Sequence, residues 1–462
     1  MGAYRGREGF LRRLEMGRIV AVGFGLTGKA VARSLKRLGL QLFLVDTREE
    51  EDLKGLLEEV GALGLPIAWG ADARDVVAQA DLVVVSPGVD LGHEIFSRSK
   101  RGAEVISEVE LAYRLAPCPI VAVTGTNGKS TTTRLIGAIL AQGGKQVLVG
   151  GNIGEPLIEK VLDASATTIL VAEISSFQLE SCRLFRPFVG VILNVASDHL
   201  DRHGTYDEYA STKGRLFQRQ KRSDVAIANL DDPTAKAITE TSAGRKYYFS
   251  RRPHQENGTF VEGGRVWWQD GGRRMDICST DIWALPGAHN EENLLAAVAA
   301  ARVFRVRKGA IAAALGDFRL SEHTFEEVRV IGGLTYINDS KGTNPAATAR
   351  ALDAISGRVV LIAGGSDKGL DYDELLEAMR EKVRCLITLG QTGGALSRIG
   401  ERAGVEEIRT AADLPEAVRL SGLLGKPGES ILFSPAAASF DMFRDYKERG
   451  DAFKKAVGGM KK

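Results

Sequence analysis

Cysteine is scarce in this chain: its 462 residues include four, Cys118, Cys182, Cys278 and Cys385, set far apart and never as a C-x-x-C pair. That spacing argues against a zinc ribbon or a disulfide framework and points to a reducing compartment. A surplus of charge is missing too, because 61 basic residues face 59 acidic ones for a net charge of +2. Nothing in that balance suggests a nucleic acid or another polyanion as partner. No apolar run approaches the roughly 18 residues of a membrane span, and the N-terminus lacks the apolar block of a secretion signal. A cytoplasmic protein without a membrane partner is therefore expected. No internal repeat or low-complexity segment appears.

What is present is enough chain for about three domains. Apolar residues at 44 % and charged residues at 26 % are those of an ordinary globular protein. Strand-like runs (IVAVG, QLFLVD, DLVVVS; IVAVTG, QVLVG, TILVAE, VGVILN; VVLIAGG, RCLITLG, SILFSP) alternate with helix-like stretches nearly throughout. Such alternation predicts an α/β fold of parallel sheets with helical crossovers. Breaks fall where a helix pattern ends in APCP and near residue 320, giving domains at 1–107, 108–320 and 321–462. Residues 245–285, with Trp267, Trp268 and several Gly-Gly pairs, read as an antiparallel insertion in the middle domain. Arg5, Arg7, Arg12, Arg13 and Arg18 outnumber Glu8 and Glu15 at the N-terminus, so 1–15 reads as a solvated extension dispensable for activity.

Two glycine loops carry the first chemical signals. Gly23, Gly25 and Gly28 in IVAVGFGLTGKAV fit G-x-G-x-x-G after a strand, and Asp46, 18 residues past Gly28, is placed to hold an NAD ribose. The second loop, VAVTGTNGKSTTT, joins a buried strand to a helix through exposed backbone N–H groups, a geometry that binds phosphate oxygens. In it Lys129 can reach terminal phosphates and Ser130 can ligate Mg²⁺. Its spacing departs from G-x-x-x-x-G-K-[ST], since Val123 stands at the first glycine position.

Further candidates lie past other strand ends, where parallel sheets collect ligands. Glu173 offers a carboxylate for Mg²⁺, and Asp198, His199, Asp201 and His203 precede Lys213. Residue chemistry alone would leave Lys213 a solvent-facing helix lysine. In the third domain NDSKGTNP, AGGSDKG and SPAAASFDMFRDY place Lys341 and Lys368 among small residues, which suggests an anionic substrate.

Taken together, GTNGKSTTT, EISSFQLE, NVASDHLDRH, LPGAHNEEN, INDSKGTN and SPAAAS resemble the Mur ligases, ATP-dependent amino-acid-adding enzymes of peptidoglycan synthesis. The likeness runs over nearly the whole chain from residue 17. GFGLTGKA, VDTR, SPGV and GNIGEP follow the order of the D-glutamate-adding branch; the GTHGKT and DNPR of sibling enzymes are absent. Folylpolyglutamate synthases share GTNGK but insert a glycine before the serine. The resemblance implies a Rossmann-like N-terminal domain for the UDP sugar, a P-loop central domain for ATP and a Rossmann-like C-terminal domain for the amino acid.

By the same resemblance, Leu26, Thr27, Asp46, Thr47 and Arg48 line the uridine side, Ser86, Pro87 and Gly88 the diphosphate side, and Asn152 and His199 the muramoyl-alanine group. Gly125, Thr126, Asn127, Gly128, Lys129, Ser130 and Thr131 cradle ATP, joined by Asn290, Asn293, Asp339 and Lys341. Lys129, Glu173, His199 and Lys213 carry catalysis. Ser130, Glu173, His199 and a carbamoylated Lys213 hold two Mg²⁺ ions, with Mn²⁺ as a substitute. Carbamoylation would turn the Lys213 amine into an anionic oxygen ligand and would need a depressed lysine pKa in the cleft. Thr343, Lys368, Ser439 and Tyr446 meet D-glutamate. The implied substrates are UDP-N-acetylmuramoyl-L-alanine, D-glutamate and ATP, acted on by a monomer.

Two positions depart from the family pattern. His323-Thr324-Phe325-Glu326 lacks the arginine that normally follows the histidine and contacts ATP, which predicts weaker ATP binding or compensation by Arg319 or Arg329. Tyr446 stands where phenylalanine is common. Three rival readings stay open on sequence: an NAD-dependent oxidoreductase built on GFGLTG and Asp46, a nucleotide-driven switch, and a sibling ligase with another amino acid.

Overall fold

Twenty strands fall into three sheets in the computed structural model, which describes residues 6–53, 55–97, 102–283, 285, 287–366 and 372–460. By contacts the chain divides into two compact units. The first runs to Val195 and includes Ala210–Ile282 and Leu294–Leu315; the second comprises Ala196–Tyr209, Trp283–Asn293 and the chain from Gly316 onward.

The first unit opens with β1 (Ile19–Val22), β2 (Leu42–Asp46), β3 (Ile67–Trp69), β4 (Leu82–Val85) and β5 (Glu104–Ser107), all parallel in the order β3-β2-β1-β4-β5. Every residue of β1 and β4 is buried, as a sheet covered on both faces demands. The strand order reverses between β1 and β4, so the crevice at their carboxyl ends is the place for a ligand. Helix Leu26–Arg37 packs tightly there, because a Cβ on Gly28 would lie 1.7 Å from the Gly23 carbonyl oxygen. Only glycine allows that approach.

The second sheet contains β6 (Ile120–Thr124), β7 (Gln146–Gly151), β8 (Thr168–Glu173), β9 (Val189–Ile192), β10 (Val225–Asn229), β11 (Arg245–Ser250), β12 (Gly258–Glu262), β13 (Arg265–Asp270) and β14 (Arg273–Ser279). Its order is β14-β13-β12-β11-β10-β9-β6-β8-β7. The antiparallel part is smaller than expected for 245–285. Strand β11 pairs in parallel with both β10 and β12, and only β12, β13 and β14 run antiparallel. This hairpin ribbon extends the sheet at its edge. Tyr247, Tyr248 and Phe249 explain the difference, since a strand buried on both faces belongs inside a parallel sheet.

The N-terminal segment is not simply solvated. Arg7–Met16 forms a helix whose Phe10 and Leu14 are each 4 % exposed, packed against helix Glu108–Leu115, which leads from the first sheet to the second. The Arg114 guanidinium lies 5.1 Å over the Phe10 ring, and Arg13 pairs with Glu104 at 3.3 Å. Phe10 and Leu14 stand four residues apart, one helical turn, which gives this charged segment an apolar face.

The second unit holds the third sheet: β15 (Glu326–Ile331), β16 (Leu334–Asn338), β17 (Val359–Gly364), β18 (Val383–Leu389), β19 (Glu407–Thr410) and β20 (Ser430–Phe433). The order is β15-β16-β20-β17-β18-β19, antiparallel only between β15 and β16. Apolar clusters cover both its faces, around Leu361 and Leu432 on one and Ile362 and Phe433 on the other. The loops after β16, β17 and β20 leave neighbouring strands at the same end. No helix among the described residues is long and apolar enough to cross a membrane.

Candidate active site

Strand β6 delivers the chain into Gly125-Thr126-Asn127-Gly128, and helix Lys129–Gln142 starts at once. Gly125 has φ 147°, and a Cβ there would lie 3.1 Å from Leu193 Cβ, so the loop closes against the residue that follows β9. Asn194 straps the loop: its Oδ1 accepts from the Asn127 N–H at 2.9 Å and its backbone oxygen from the Thr126 N–H at 3.0 Å. Lys129 Nζ donates to the carbonyls of Gly125 (3.0 Å) and Thr126 (2.8 Å). Thr124 Oγ1, Asn127 Nδ2 and Thr133 Oγ1 are buried there without a hydrogen-bond partner. Buried polar groups are nearly always satisfied, so three such atoms around one glycine loop fit a polar ligand with several acceptor and donor atoms. Ser130 and Thr131 stand half-buried on the first helical turn.

Glu173 ends β8 opposite Val123, the residue two before the loop. Its Oε1 accepts from Asn152 Nδ2 at 2.8 Å, while its Oε2 is buried with no partner. An unpartnered buried carboxylate oxygen is the hard anionic donor that Mg²⁺ takes, and with the Ser130 hydroxyl it fits that ion. Lys213, read from its residue type as solvent-facing, is instead 1 % exposed, and its Nζ donates to the Gly125 carbonyl at 2.9 Å. Helix Tyr206–Gly214 carries it into the base of the loop, a placement that tertiary packing decides and residue type does not. Lys129, Ser130, Asn152, Glu173 and Lys213 thus all belong to the first unit, and His199 belongs to the second. Among the described residues no group of three or more His, Cys, Asp or Glu side chains forms a ready metal cluster.

At the crevice of the first sheet, Leu26 and Thr27 open the helix after Gly25, Leu26 being 61 % exposed. Asp46 is buried, and its oxygens accept from the Phe24 N–H (2.7 Å), the Arg48 N–H (3.1 Å) and Arg48 Nε and Nη2 (2.9 Å each). Burial opposes its charge, but the Arg48 guanidinium and the two backbone donors outweigh that and hold its carboxyl below the usual range. An NAD reading would give these oxygens to a ribose, whereas here they brace the glycine turn. Ser86 follows β4, and its buried Oγ has no partner, so the crevice keeps an unused hydroxyl. Thr47 and Pro87 are half-buried and Gly88 is exposed.

In the second unit His199 takes φ 55° and starts helix Leu200–His203, with its Nε2 3.6 Å from Asp198 Oδ2. Asn344 Nδ2 donates to that same Asp198 oxygen at 3.3 Å. Asn290 and Asn293 lie buried side by side on helix Ala288–Val303, 3.4 Å apart. Asp339 Oδ2 accepts from Ser434 Oγ at 2.7 Å and Oδ1 from the Phe325 N–H at 3.1 Å; burial still pushes its carboxyl up to about 7. Lys341 lies 6.0 Å over the Tyr446 ring, Thr343 donates to the Lys341 carbonyl at 2.9 Å, and Ser439 is 2 % exposed. Lys368 and the side chain of Asp201 lie outside the described residues.

Sequence reading passed over Arg449. It is 1 % exposed and donates to Ser340 Oγ, the Ser340 carbonyl and the carbonyls of Ala437 and Ala438, at 2.8–3.1 Å. It therefore ties the loop carrying Lys341 and Thr343 to the loop carrying Ser439. The signal was available in the helical period, since Arg449, Phe453 and Val457 repeat every four residues on one face. Arg319, a candidate to replace the missing arginine, donates to the carbonyls of Gly316 and Phe318.

Fold and site define a three-sheet α/β protein with a glycine phosphate loop, a carboxylate for a divalent cation and a separate set of polar loops on its third sheet. Three known families match it in order: residues 17–107 the Mur ligase MurD-like N-terminal domain, 123–301 the Mur ligase middle domain and 323–437 the Mur ligase glutamate ligase domain. The chain is 44 % identical over 446 residues to a UDP-N-acetylmuramoylalanine–D-glutamate ligase of Pelotomaculum thermopropionicum, covering 96 % of this chain and 98 % of that one. A ligase of the same name from Caldanaerobacter subterraneus is 42 % identical over 447 residues, with the same shares covered. Among solved structures, the UDP-N-acetylmuramate–alanine ligase MurC of Thermotoga maritima shares the fold, with a TM-score of 0.62 at 19 % identity over 96 % of this chain and 100 % of that one. The chain belongs to the Mur ligase family.

Proposed function

We propose that this protein joins D-glutamate to UDP-N-acetylmuramoyl-L-alanine at the expense of ATP, through an acyl phosphate, in the synthesis of peptidoglycan precursors. The observation that carries the reading is the strapped glycine loop with the unpartnered Glu173 oxygen across from its strand, in a chain similar from end to end to ligases of that name. An oxygen of the substrate carboxylate attacks the γ-phosphorus, and the bond to the β-phosphate oxygen breaks to release ADP. The amine of D-glutamate then attacks the acyl carbon and gives up a proton; phosphate leaves and an amide remains.

Lys129 and the loop N–H groups stabilise the charge that spreads over the transferring phosphoryl group. Mg²⁺ held by Ser130 and Glu173 would neutralise further charge there. A second ion on His199 and carbamoylated Lys213, and replacement by Mn²⁺, belong to the same proposal. Leu26, Thr27, Thr47, Ser86, Pro87 and Gly88 serve the UDP moiety, with Asp46 and Arg48 bracing its turn. Asp339 and Lys341 serve ATP, and Thr343, Lys368, Ser439 and Tyr446 serve D-glutamate, the loop of Lys341 and Thr343 being tied to that of Ser439 by Arg449. We read the enzyme as a cytoplasmic monomer that acts on small molecules alone.

Phosphate release with ATP, Mg²⁺ and both substrates tests the reading, with each component omitted in turn and with L-glutamate, L-lysine or diaminopimelate replacing D-glutamate. Release that needs both substrates and prefers D-glutamate is expected. Preference for another amino acid would keep the mechanism and change the product. Release indifferent to both substrates would leave a nucleotide-driven switch.

A further inference from the structure

Chain segments that lead to three parts of the nucleotide site meet at one short turn. Residues 179–185 connect the helix Ser176–Leu179, which follows Glu173, to β9, which leads to the strap residue Asn194. The N–H groups of Arg183, Leu184 and Phe185 all point at the carboxylate of Glu110, at 3.0, 2.9 and 2.8 Å. Glu110 is fully buried on helix Glu108–Leu115, and Arg114 Nε donates to it at 2.7 Å. Carbonyls of the same turn are held from the other side. Arg215, two residues past Lys213, donates to the carbonyls of Leu179 and Glu180, and Arg219 Nε donates to that of Arg183 at 3.1 Å. The turn therefore lies between Glu173 and Asn194 in the chain and is bonded to the segment that bears Lys213.

We propose that Glu110 is a positioning residue of the nucleotide and metal site, acting through the 179–185 turn to fix where Glu173, Asn194 and Lys213 stand. Three backbone donors on one carboxylate, with an arginine behind it, make charge-assisted bonds that set the turn without touching substrate. A neutral amide at 110 would place an N–H₂ among N–H donors and release the turn. Because such a site tolerates little displacement, the loss falls on the groups the turn aligns and spares the loops of the first sheet. The inference rests on the nucleotide reading above and adds a residue to it.

The test is steady-state kinetics of the full chain carrying Glu110→Gln. With Glu110→Gln we expect the KM for MgATP and the Mg²⁺ concentration for half-maximal rate to rise by about tenfold while the KM for the UDP substrate stays within about twofold. Glu104→Gln is the control: Glu104 shares Arg114 at 2.7 and 2.9 Å and feels the charge of Arg183, but the backbone N–H groups of the turn go to Glu110, so it should lower thermal stability and leave both KM values in place. Unchanged KM values in Glu110→Gln, or an equal rise in both, would overturn the proposal. If Glu110→Gln does not fold, Arg215→Met loosens the turn from its carbonyl side and is judged by the same criteria.

Hydrogen exchange on the unmodified protein supplies a readout that needs no turnover. Binding of a non-hydrolysable ATP analogue with Mg²⁺ should slow exchange of the amides of residues 183–185, which it does not touch, because coupling between sites is reciprocal. Binding without that change would remove the clamp. Failure of the analogue to bind at all would overturn the nucleotide reading and the clamp with it.

Discussion

The Lys213 ammonium donates to the carbonyl of Gly125 at 2.9 Å from a side chain that is 1 % exposed. Burial this complete is costly for a full positive charge. Carbamoylation would replace that charge with an anionic oxygen pair and still leave one N–H for Gly125. We therefore expect enzyme held in buffer freed of carbon dioxide to lose activity and bicarbonate to restore it. Lys213→Met should abolish both the activity, by about 10²-fold or more, and the bicarbonate response. A dead Lys213→Met beside a bicarbonate-indifferent parent would assign Lys213 to bracing the loop as an amine.

Glu108 makes a prediction about pH. Burial pushes its carboxyl up to about 7, against the Ile158 N–H that donates to it at 2.6 Å, and Glu159 nearby adds to the rise; its Oε2 has no partner. With the folded value raised above the unfolded 4.5, the stability from protonated Glu108 is full below 4.5 and is lost as pH climbs to about 7. Glu108→Gln stays neutral throughout, so it should gain on the parent between pH 5 and pH 8, by about 3 kcal/mol at most. Urea midpoints of both proteins across that range give the difference. A constant offset would show that Glu108 keeps its charge.

How far these features could be read without coordinates varies with their cause. Apolar runs marked all three parallel sheets because a strand buried on both faces must be apolar along its length, and the glycine loop was visible because phosphate binding constrains local sequence. Buried polar residues were not. EVELAYRL looks like an amphipathic surface helix, yet Glu108, Glu110 and Arg114 are all buried, since elements distant in sequence cover its polar side. Lys213 was misread for the same reason. The boundary of the antiparallel ribbon was also lost, because YYF in β11 carries no period that separates a parallel from an antiparallel partner.

The N-terminal helix is expected to stabilise. Similarity to the family begins at residue 17, but Phe10 and Leu14 are buried on helix Glu108–Leu115. Deleting residues 1–16 exposes that face and removes the Arg13–Glu104 pair. Phe10→Ala alone should cost about 2–3 kcal/mol, which for a chain of this size lowers Tm by roughly 2–3 °C. Calorimetry of the two variants checks this, with kcat at low temperature retained. An unchanged Tm would return residues 1–15 to the status of a dispensable extension.

Thr324 is held by its neighbours more than by its own side chain. His323 and Phe325 on either side have φ 63° and 45°, a conformation that is costly outside glycine and persists only where surrounding bonds enforce it. Those bonds are present: the His323 N–H donates to Glu326 Oε2 at 2.8 Å, the Phe325 N–H to Asp339 Oδ1 at 3.1 Å, and Asn338 Nδ2 sits 3.0 Å from His323 Nδ1. Thr324 itself contributes one hydroxyl contact, to Ser321 Oγ at 3.0 Å. The backbone at 324 should thus be the same with arginine, and Thr324→Arg should cost little stability. If threonine weakens ATP binding, the variant lowers the KM for ATP by about tenfold, the worth of one charge-assisted hydrogen bond. Arg319 is committed to the carbonyls of Gly316 and Phe318, so an unchanged KM would direct attention to Arg329 on β15. Arg329→Ala then decides the matter: a raised KM in that variant makes Arg329 the substitute, and an unchanged one means that ATP is held without an arginine from either position.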